Sequence, residues 1–367
     1  MKNHTIAGLP EIHTLGRTVF DSEGRLNLFW TASGIAFEFE GTSLTLILSA
    51  EFTLFEPWVS FEMDGAQIAR FPVRRGGMRI TFFRQLSSGT RHRIRIMKEV
   101  QAMPEDPGHF LRFDSLEYSG KIYPLSFEKK IEFIGDSITS GEGAAGSVME
   151  QDWIPAFFSS VNNYAVMAAD RLNADFRLVS QSGWGIVSGW DNNPQHTLLP
   201  FYEEVCGVAA GEQNNLAGAH SAYDFSSWKA DAVIISLGTN DACAFDQPEW
   251  RNALTGETFK QHLLLDGTPS PADAARIKEA VCRFLETVRK DNPKAAIVWA
   301  YGMLGQSLAD LLKRAVDAYK RRSGDTRAFF LLLEDTAPEN IGARSHPGVR
   351  SHAINARILA DFLKETL

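Results

Sequence analysis

One short segment combines a serine with several glycines directly after an apolar, strand-like stretch. In "IEFIGDSITSGEG", residues 131–143, Ser137 could act as a nucleophile, because a hydroxyl becomes reactive when a nearby base accepts its proton. Alternatively, Gly141, Gly143 and Gly146 match the G-x-G-x-x-G spacing of loops that bind a dinucleotide pyrophosphate. The two interpretations require different partners elsewhere in the chain.

The dinucleotide interpretation fits the rest of the sequence poorly. The first glycine of that motif belongs at the end of the strand, but Gly141 lies six residues beyond Gly135. The second predicted strand should end in an acid that holds a ribose hydroxyl, and Gln181 and Ser182 stand where that acid belongs. We therefore expect no nicotinamide or other cofactor.

Three further positions resemble Ser137 in standing at predicted strand ends or helix starts. Gly183 follows the second strand in "SQSGWGI", Asn240 follows the third in "SLGTND", and His346 precedes the last helix in "ARSHPGVRSH". Each has a plain structural explanation when taken alone, because serine and aspartate cap helices and asparagine forms turns. Together they make His346 the candidate base for Ser137.

The first half of the chain has the pattern of β-strands. Apolar residues alternate with polar ones in "GIAFEFEG" and "WVSFEMDG", and Asp64-Gly65 is a hairpin signal. Short strands without a helical stretch predict a small antiparallel β-sandwich, jelly-roll-like, over residues 1–125. We expect Arg91, Arg93 and Arg95 on a solvated outer face of that sandwich.

The second half, residues 126–367 after a predicted linker at 119–130, alternates strand and helix signals. Helices are predicted from Pro271 to before Asn292, over "SLADLLKRAVDAYKRR", and from His346-Pro347 onward. The fold class is therefore α/β, a doubly wound parallel sheet whose ligand site lies beyond the carboxyl ends of its strands. Five nearly continuous apolar runs predict the strands of this sheet, at 131–135, 176–181, 231–237, 295–301 and 328–333.

Composition excludes several function classes. The net charge of −8 over 367 residues argues against a nucleic-acid partner bound by phosphate neutralisation. No apolar run approaches the roughly 20 residues that span a bilayer, and the first residues lack the apolar core of a secretory signal, so we expect a cytoplasmic protein without a membrane partner. Cys206, Cys243 and Cys282 form no CxxC motif, so we expect buried thiols, no disulfide framework and no metal site.

In order and spacing, the four blocks around Ser137, Gly183, Asn240 and His346 resemble those of the SGNH (GDSL) hydrolases, whose domain is flavodoxin-like. In the first half, "GIAFEFEGTSL", "WVSFEMDG" and "HRIRIMKE" resemble the N-terminal β-sandwich of the family-two carbohydrate esterases. The resemblance covers the whole chain. It implies a metal-independent serine esterase that removes acetyl groups from sugars or oligosaccharides through an acyl-enzyme.

The resemblance also implies roles for individual residues. Ser137 would be the nucleophile and His346 the base, while the oxyanion hole would consist of the Ser137 N–H, the Gly183 N–H and the Asn240 side-chain amide. A glycine at 183 lets a backbone donor approach the substrate without a Cβ atom in the way. Trp184 and Trp190, in the loop after the second strand, are candidates for packing against a sugar ring.

One position departs from the family pattern. SGNH enzymes usually carry an aspartate three residues before the histidine, and this chain has Ala343 there. The imidazole could be oriented by a backbone carbonyl instead, or by Glu339 or Asp335 from the preceding loop. We expect a Ser137–His346 dyad, and we expect Asp136 to brace the turn beside the nucleophile.

Two other functions fit the same residues. The four blocks set the reaction type and not the leaving group, so an esterase for lipid or other small acyl esters is one alternative. A glycan-binding protein with an inactive hydrolase domain is the other, and Ala343 is the feature that favours it.

Overall fold

A computed structural model describes residues 2–87 and 89–367. Within these residues the first half of the chain forms ten strands, and every pairing among them is antiparallel. They are Lys2–Thr5 (β1), His13–Leu15 (β2), Thr18–Phe20 (β3), Leu26–Leu28 (β4), Gly34–Glu51 (β5), Trp58–Met63 (β6), Ala66–Pro72 (β7), Gly76–Phe83 (β8), His92–Lys98 (β9) and Phe110–Tyr123 (β10).

The long strand β5 connects the two layers of this half. Along one edge its residues 34–39 pair with β9 and its residues 44–50 pair with β8, while β10 pairs with residues 38–51 on the other edge. Inward-facing apolar side chains from both layers form one core, which includes Phe37, Phe39, Leu46, Phe61, Ile94 and Phe113. The predicted antiparallel sandwich is confirmed.

The hairpin predicted at Asp64-Gly65 is also present. These two residues connect β6 to β7, and both have positive φ angles, 54° and 80°. Two successive positive φ angles match the right-handed twist of the strands that the turn joins.

In the second half, five strands form a parallel sheet in the order β12-β11-β13-β16-β17, and β14 pairs with β15 as a separate hairpin. The predicted doubly wound fold is confirmed, and each predicted strand lies within two residues of the observed bounds. The strands are Lys129–Gly135 (β11), Ala174–Ser180 (β12), Ala232–Ser236 (β13), Trp250–Arg251 (β14), Thr258–Phe259 (β15), Ala296–Tyr301 (β16) and Ala328–Leu332 (β17).

The helices cover both faces of the parallel sheet. They are Ser137–Ser140 (α1), Tyr164–Arg171 (α2), Glu212–Leu216 (α3), Thr239–Ala244 (α4), Pro271–Asp291 (α5), Ala309–Ser323 (α6) and Val349–Thr366 (α7). Helices α5 and α6 pack on one face, and α2 and α7 pack on the other. None of the helices in the described residues is long and apolar enough to cross a bilayer.

Two predicted boundaries differ from the structure. The predicted linker 119–130 is mostly strand, because β10 continues to Tyr123 and β11 begins at Lys129. The last helix begins at Val349 and not at His346-Pro347. His346 has extended backbone angles, and Pro347 forms a β-bridge with Ile341, so the segment is held as a loop before the helix starts.

The sandwich packs tightly against the second half through buried polar contacts. The ion pair between Arg17 and Glu132 is fully buried at 2.9 Å. Arg95 is also buried, and it forms ion pairs with Glu62 and with Asp170 of α2. The prediction that the arginine row faces solvent is therefore wrong for Arg95, because that part of β9 faces α2 and not water.

Candidate active site

The strand order brings three of the predicted residues to one edge of the parallel sheet. Because β11 lies between β12 and β13, the segments that follow these strands are neighbours, and they carry Ser137, Gly183 and Asn240. Ser137 is the first residue of α1. The Asp136 side chain caps this helix by accepting a hydrogen bond from the Ile138 N–H at 3.0 Å, the bracing role that the sequence suggested.

His346 reaches Ser137 from the loop before α7. Its Nε2 atom lies 2.9 Å from the Ser137 Oγ atom, and its Nδ1 atom lies 2.8 Å from the Arg344 carbonyl oxygen. Because a carbonyl oxygen only accepts hydrogen bonds, Nδ1 carries a proton, and in the neutral imidazole Nε2 is then the acceptor for the Ser137 hydroxyl. This tautomer is the one that a general base needs.

The Arg344 carbonyl thus takes the orienting place of the missing aspartate. Arg344 and Ser345 have positive φ angles of 54° and 57°, a conformation that turns the chain back toward the imidazole. Neither acid proposed from the sequence contacts His346 among the described residues. Asp335 accepts a hydrogen bond from the Gly305 N–H, and Glu339 is exposed on the surface.

The three residues predicted to supply oxyanion donors are Ser137, Gly183 and Asn240, and they line one cleft with His346. Among the residues that the structure describes, the N–H groups of Ser137 and Gly183 donate to no protein acceptor. Gly183 has a φ angle of +79°, which an L side chain rarely adopts. The Asn240 amide nitrogen donates to the Trp184 carbonyl at 2.9 Å, and its second contact, to Asp136, is long at 3.4 Å.

Asp241, the neighbour of Asn240, ties the first helical turn of α4 to the loop after β12. Its carboxylate accepts hydrogen bonds from the N–H groups of Ile186 and Val187 at 2.7 and 2.8 Å. Burial raises the pKa of Asp241 to about 6. Burial, with the nearby Asp241 charge, also raises the pKa of Asp136 to about 7. Buried acidic side chains therefore join the loop after β12 to the start of α4, the two segments that carry Gly183 and Asn240.

The cleft has a volume of about 440 Å³ and is built by both halves of the chain. The sandwich contributes Phe55, Gln101 and Glu105 to its lining. Gln101 Oε1 accepts a hydrogen bond from the Ser182 N–H at 2.7 Å, next to the predicted oxyanion donor Gly183. No periodicity or motif in the sequence points to Gln101, because its role depends on how the two halves pack.

The two predicted sugar-binding tryptophans have different environments. Trp190 lines the cleft with 49% of its surface exposed, and its ring lies beside Gly183. Trp184 is only 6% exposed and packs against His196 and Phe201 in the core. The expectation that the Trp184 ring faces a sugar is corrected, because the rings of His196 and Phe201 cover it. The carbonyl oxygen of Trp184 contacts the site, as the acceptor for the Asn240 amide.

The three cysteines and His352 lie in different environments. Cys206 and Cys282 are buried thiols, but Cys243 is exposed and lines the cleft, which corrects the expectation for that residue. His352 has a structural role, because its Nδ1 atom accepts a hydrogen bond from the Tyr164 N–H and burial lowers its pKa to about 3. Within residues 2–87 and 89–367, no cluster of His, Cys, Asp or Glu is suited to hold a metal ion.

Comparisons with known proteins show the family of each half of the chain. Residues 133–353 match the model of the GDSL-like lipase/acylhydrolase family, and residues 14–119 match that of the carbohydrate esterase 2 N-terminal domain. The structure superposes on that of the acetyl xylan esterase Est2A from the rumen bacterium Butyrivibrio proteoclasticus with a TM-score of 0.96. The two are 40% identical, over 99% of this chain and 98% of that chain.

Two curated relatives are more distant. The cellulase/esterase CelE of Acetivibrio thermocellus is 26% identical over 98% of this chain, which spans only 40% of the length of CelE. An acetylxylan esterase/glucomannan deacetylase of Cellvibrio japonicus is 23% identical, over 99% of this chain and 91% of that protein. Both resemblances predicted from the sequence are confirmed. The chain belongs to the GDSL-like lipase/acylhydrolase family and carries a carbohydrate esterase 2 N-terminal domain in front of the hydrolase domain.

Proposed function

We propose that this protein is a serine esterase that removes acetyl groups from acetylated sugars or oligosaccharides through an acyl-enzyme. The observation that carries the proposal is the contact of Ser137 Oγ with His346 Nε2 at 2.9 Å, in a cleft that also contains Gly183 and Asn240. Est2A and the Cellvibrio japonicus relative are described as esterases of acetylated xylan or glucomannan, and this supports the substrate class.

The first half of the reaction transfers the acetyl group to the enzyme. Ser137 Oγ attacks the ester carbonyl carbon while its proton moves to His346 Nε2. The carbonyl oxygen becomes negatively charged, and the N–H groups of Ser137 and Gly183 and the Asn240 amide donate to it. Each such donor contributes about 3 kcal/mol in the transition state. The ester C–O bond then breaks, and the sugar hydroxyl leaves with the proton from His346.

The second half of the reaction returns the enzyme to its starting state. His346 takes a proton from a water molecule, whose oxygen attacks the acetyl carbonyl carbon of acetyl-Ser137. The same donors stabilise the second oxyanion, acetate leaves, and Ser137 regains its proton from His346. The Nδ1–H···O=C bond to Arg344 keeps the imidazole in the required tautomer throughout both halves.

The surroundings of the cleft suit a sugar as the leaving group. Trp190 and Trp153 are aromatic side chains at its walls, and Gln101, Glu105 and Gln247 add polar groups that can bond to hydroxyls. The glycan-binding alternative rested on Ala343, and the Arg344 carbonyl removes that argument because it orients His346 without an aspartate.

Hydrolysis of p-nitrophenyl acetate tests the reaction type. Ser137→Ala should lower kcat/KM by on the order of 10⁴-fold or more, because no other nucleophile replaces the hydroxyl. Ser147→Ala, which changes an exposed serine on the same loop region, should leave the rate unchanged. Equal rates for the wild type and Ser137→Ala would rule out the proposal.

Acetate release from acetylated xylo- and manno-oligosaccharides tests the substrate class. We expect higher kcat/KM on these substrates than on esters of longer acyl chains. The reverse preference would favour the alternative esterase for lipid or other small acyl esters. Glycan binding by calorimetry without turnover of any acyl ester would favour a binding protein.

A further inference from the structure

A buried carboxylate lies beside the imidazole at the position where its positive charge would develop. Glu142 Oε1 lies 3.9 Å from His346 Nε2, and the Glu142 side chain is only 3% exposed. The Glu142 N–H donates to the Ser137 carbonyl at 3.0 Å, so this residue is fixed to the same turn as the nucleophile. Nothing in the reaction described above uses Glu142.

Glu142 also holds the residue whose carbonyl orients His346. Arg344 Nε donates to Glu142 Oε1 at 2.8 Å, and the Arg344 N–H donates to the Glu150 carbonyl at 2.7 Å. These contacts keep Arg344 at its positive φ angle of 54°, which an L side chain rarely adopts. The Glu142 carboxylate therefore lies near Nε2 of His346 and also binds Arg344, whose carbonyl oxygen accepts the hydrogen bond from Nδ1.

We propose that Glu142 is a positioning residue that supplies, from the Nε2 side of His346, the negative charge that an aspartate at position 343 would supply from the Nδ1 side. This proposal rests on the proposed function. A carbonyl oxygen fixes the tautomer but carries only a partial charge, so it stabilises an imidazolium less than a carboxylate does. The full negative charge of Glu142 supplies the stabilisation of the imidazolium that the carbonyl oxygen lacks.

The effect is specific to the transition state. A neutral imidazole, the form that acts as the base, gains little energy from Glu142, which is paired with Arg344. As the Ser137 proton moves to Nε2, a positive charge develops 3.9 Å from Oε1, in a site where burial reduces solvent screening. An interaction that strengthens only during the reaction raises the rate of the chemical step.

Other ionisable groups surround His346 and must be included in its pH dependence. Asp136 lies beside Ser137, and His352 lies on α7. Glu105 and Cys243 line the cleft across from the imidazole. None of these has a contact with an imidazole nitrogen of His346 among the described residues, so substitution of Glu142 changes the charge nearest to Nε2.

The pH profile of kcat/KM on p-nitrophenyl acetate tests the proposal. Glu142→Gln should lower the plateau about tenfold and move the midpoint of the acid limb to lower pH by about one unit, because the imidazolium loses its negative neighbour. Arg344→Gln keeps the backbone carbonyl but removes a positive charge, so its acid limb should move to higher pH.

This pair of variants separates an electrostatic role from a purely structural one. If Glu142 only held Arg344 in position, both variants would change the profile in the same direction, and that result would overturn the proposal, as would an unmoved acid limb in Glu142→Gln. Glu339→Gln, an exposed acid on the same approach to His346, is the matched control and should leave the profile unchanged.

An NMR titration of the His346 imidazole needs no substrate and so separates this proposal from the proposed function. We expect the titration midpoint in Glu142→Gln to be lower than in the wild type by about one pH unit. If hydrolysis by the wild type did not depend on Ser137, the proposed function would be ruled out, while the role of Glu142 would still be decided by the titration. Identical imidazole titrations in the two folded proteins would end the role of Glu142.

Discussion

Gly143 packs so closely against His346 that a Cβ atom built on Gly143 would lie 2.6 Å from the His346 Cβ atom. The Gly143 carbonyl also accepts a hydrogen bond from the Ala343 N–H at 3.0 Å. The glycine run after Ser137, which by its spacing could be mistaken for a dinucleotide loop, is thus the surface on which the loop carrying His346 rests. Its glycines allow the two loops to pack closely, and this explains their presence without a bound pyrophosphate.

We predict that Gly143→Ala inactivates the enzyme by displacing His346. The added methyl group would overlap the Ala343 carbonyl oxygen and the His346 Cβ atom, both in the loop that carries the imidazole. A shift of about 1 Å in a catalytic group costs about 10² in rate. Esterase assays measure the loss. Gly267→Ala is the matched control, because Gly267 has nearly the same φ angle, +77° against +75°, with open space around it. Similar activity losses in both variants would show that strain, and not contact with His346, is the cause.

We predict that Asn240→Ala lowers kcat by about 10² to 10³ with a smaller change in KM. The side-chain amide is the proposed oxyanion donor on α4, so its loss should remove an interaction that is made mainly in the transition state. Stopped-flow or steady-state kinetics on p-nitrophenyl acetate give both constants. Asn215→Ala, at an exposed position of α3, should behave as the wild type. A pure KM effect in Asn240→Ala would contradict the assignment.

We predict that Gln101→Met impairs catalysis although Gln101 belongs to the sandwich. Methionine keeps the length of the side chain but leaves the half-buried Ser182 N–H without its acceptor, which should disturb the neighbouring N–H of Gly183. The expected loss in kcat/KM is about tenfold. Gln67→Met on the exposed strand β7 is the control. Full activity in Gln101→Met would mean that the sandwich does not position the oxyanion hole.

The sequence was sufficient for those parts of the fold that local patterns determine. Continuous apolar runs located all five parallel strands, and the proline at 271 and Asn292-Pro293 located both ends of α5. Since parallel strands end at one edge, the positions of Ser137, Gly183 and Asn240 at three strand ends were enough to predict that they would be neighbours.

Contacts between the two halves could not be predicted in the same way. Arg95 and Gln101 are polar residues that a sequence pattern would place in solvent, but both are buried and contact the second half of the chain. Trp184 is six residues from Trp190 in a loop, and no periodicity distinguishes the covered ring from the exposed one. Glu142 was adjacent to a glycine motif, but its distance to His346 depends on a loop 200 residues later in the chain.

The buried carboxyl group of Asp136 leads to a prediction about pH and stability. Its pKa is raised from 3.8 to about 7, mainly by burial and further by Asp241, so the folded state holds a proton that the unfolded state releases. Between about pH 4 and pH 7 the folded protein therefore binds more protons, and its stability falls as the pH rises through this window. A shift of this size corresponds to at most about 4 kcal/mol.

Asp136→Asn removes this titration and should make the protein relatively more stable as the pH rises. Asparagine still accepts the hydrogen bond from the Ile138 N–H, so any constant offset from the altered contact to Asn240 is independent of pH. Urea unfolding at several pH values from 4 to 8 gives the free energy of unfolding for both proteins. The difference between Asp136→Asn and the wild type should increase up to about pH 7 and then become constant. Asp310→Asn, at an exposed position of α6, should give a curve parallel to that of the wild type, and a parallel curve for Asp136→Asn would mean that this carboxyl group is already ionised in the folded protein at acidic pH.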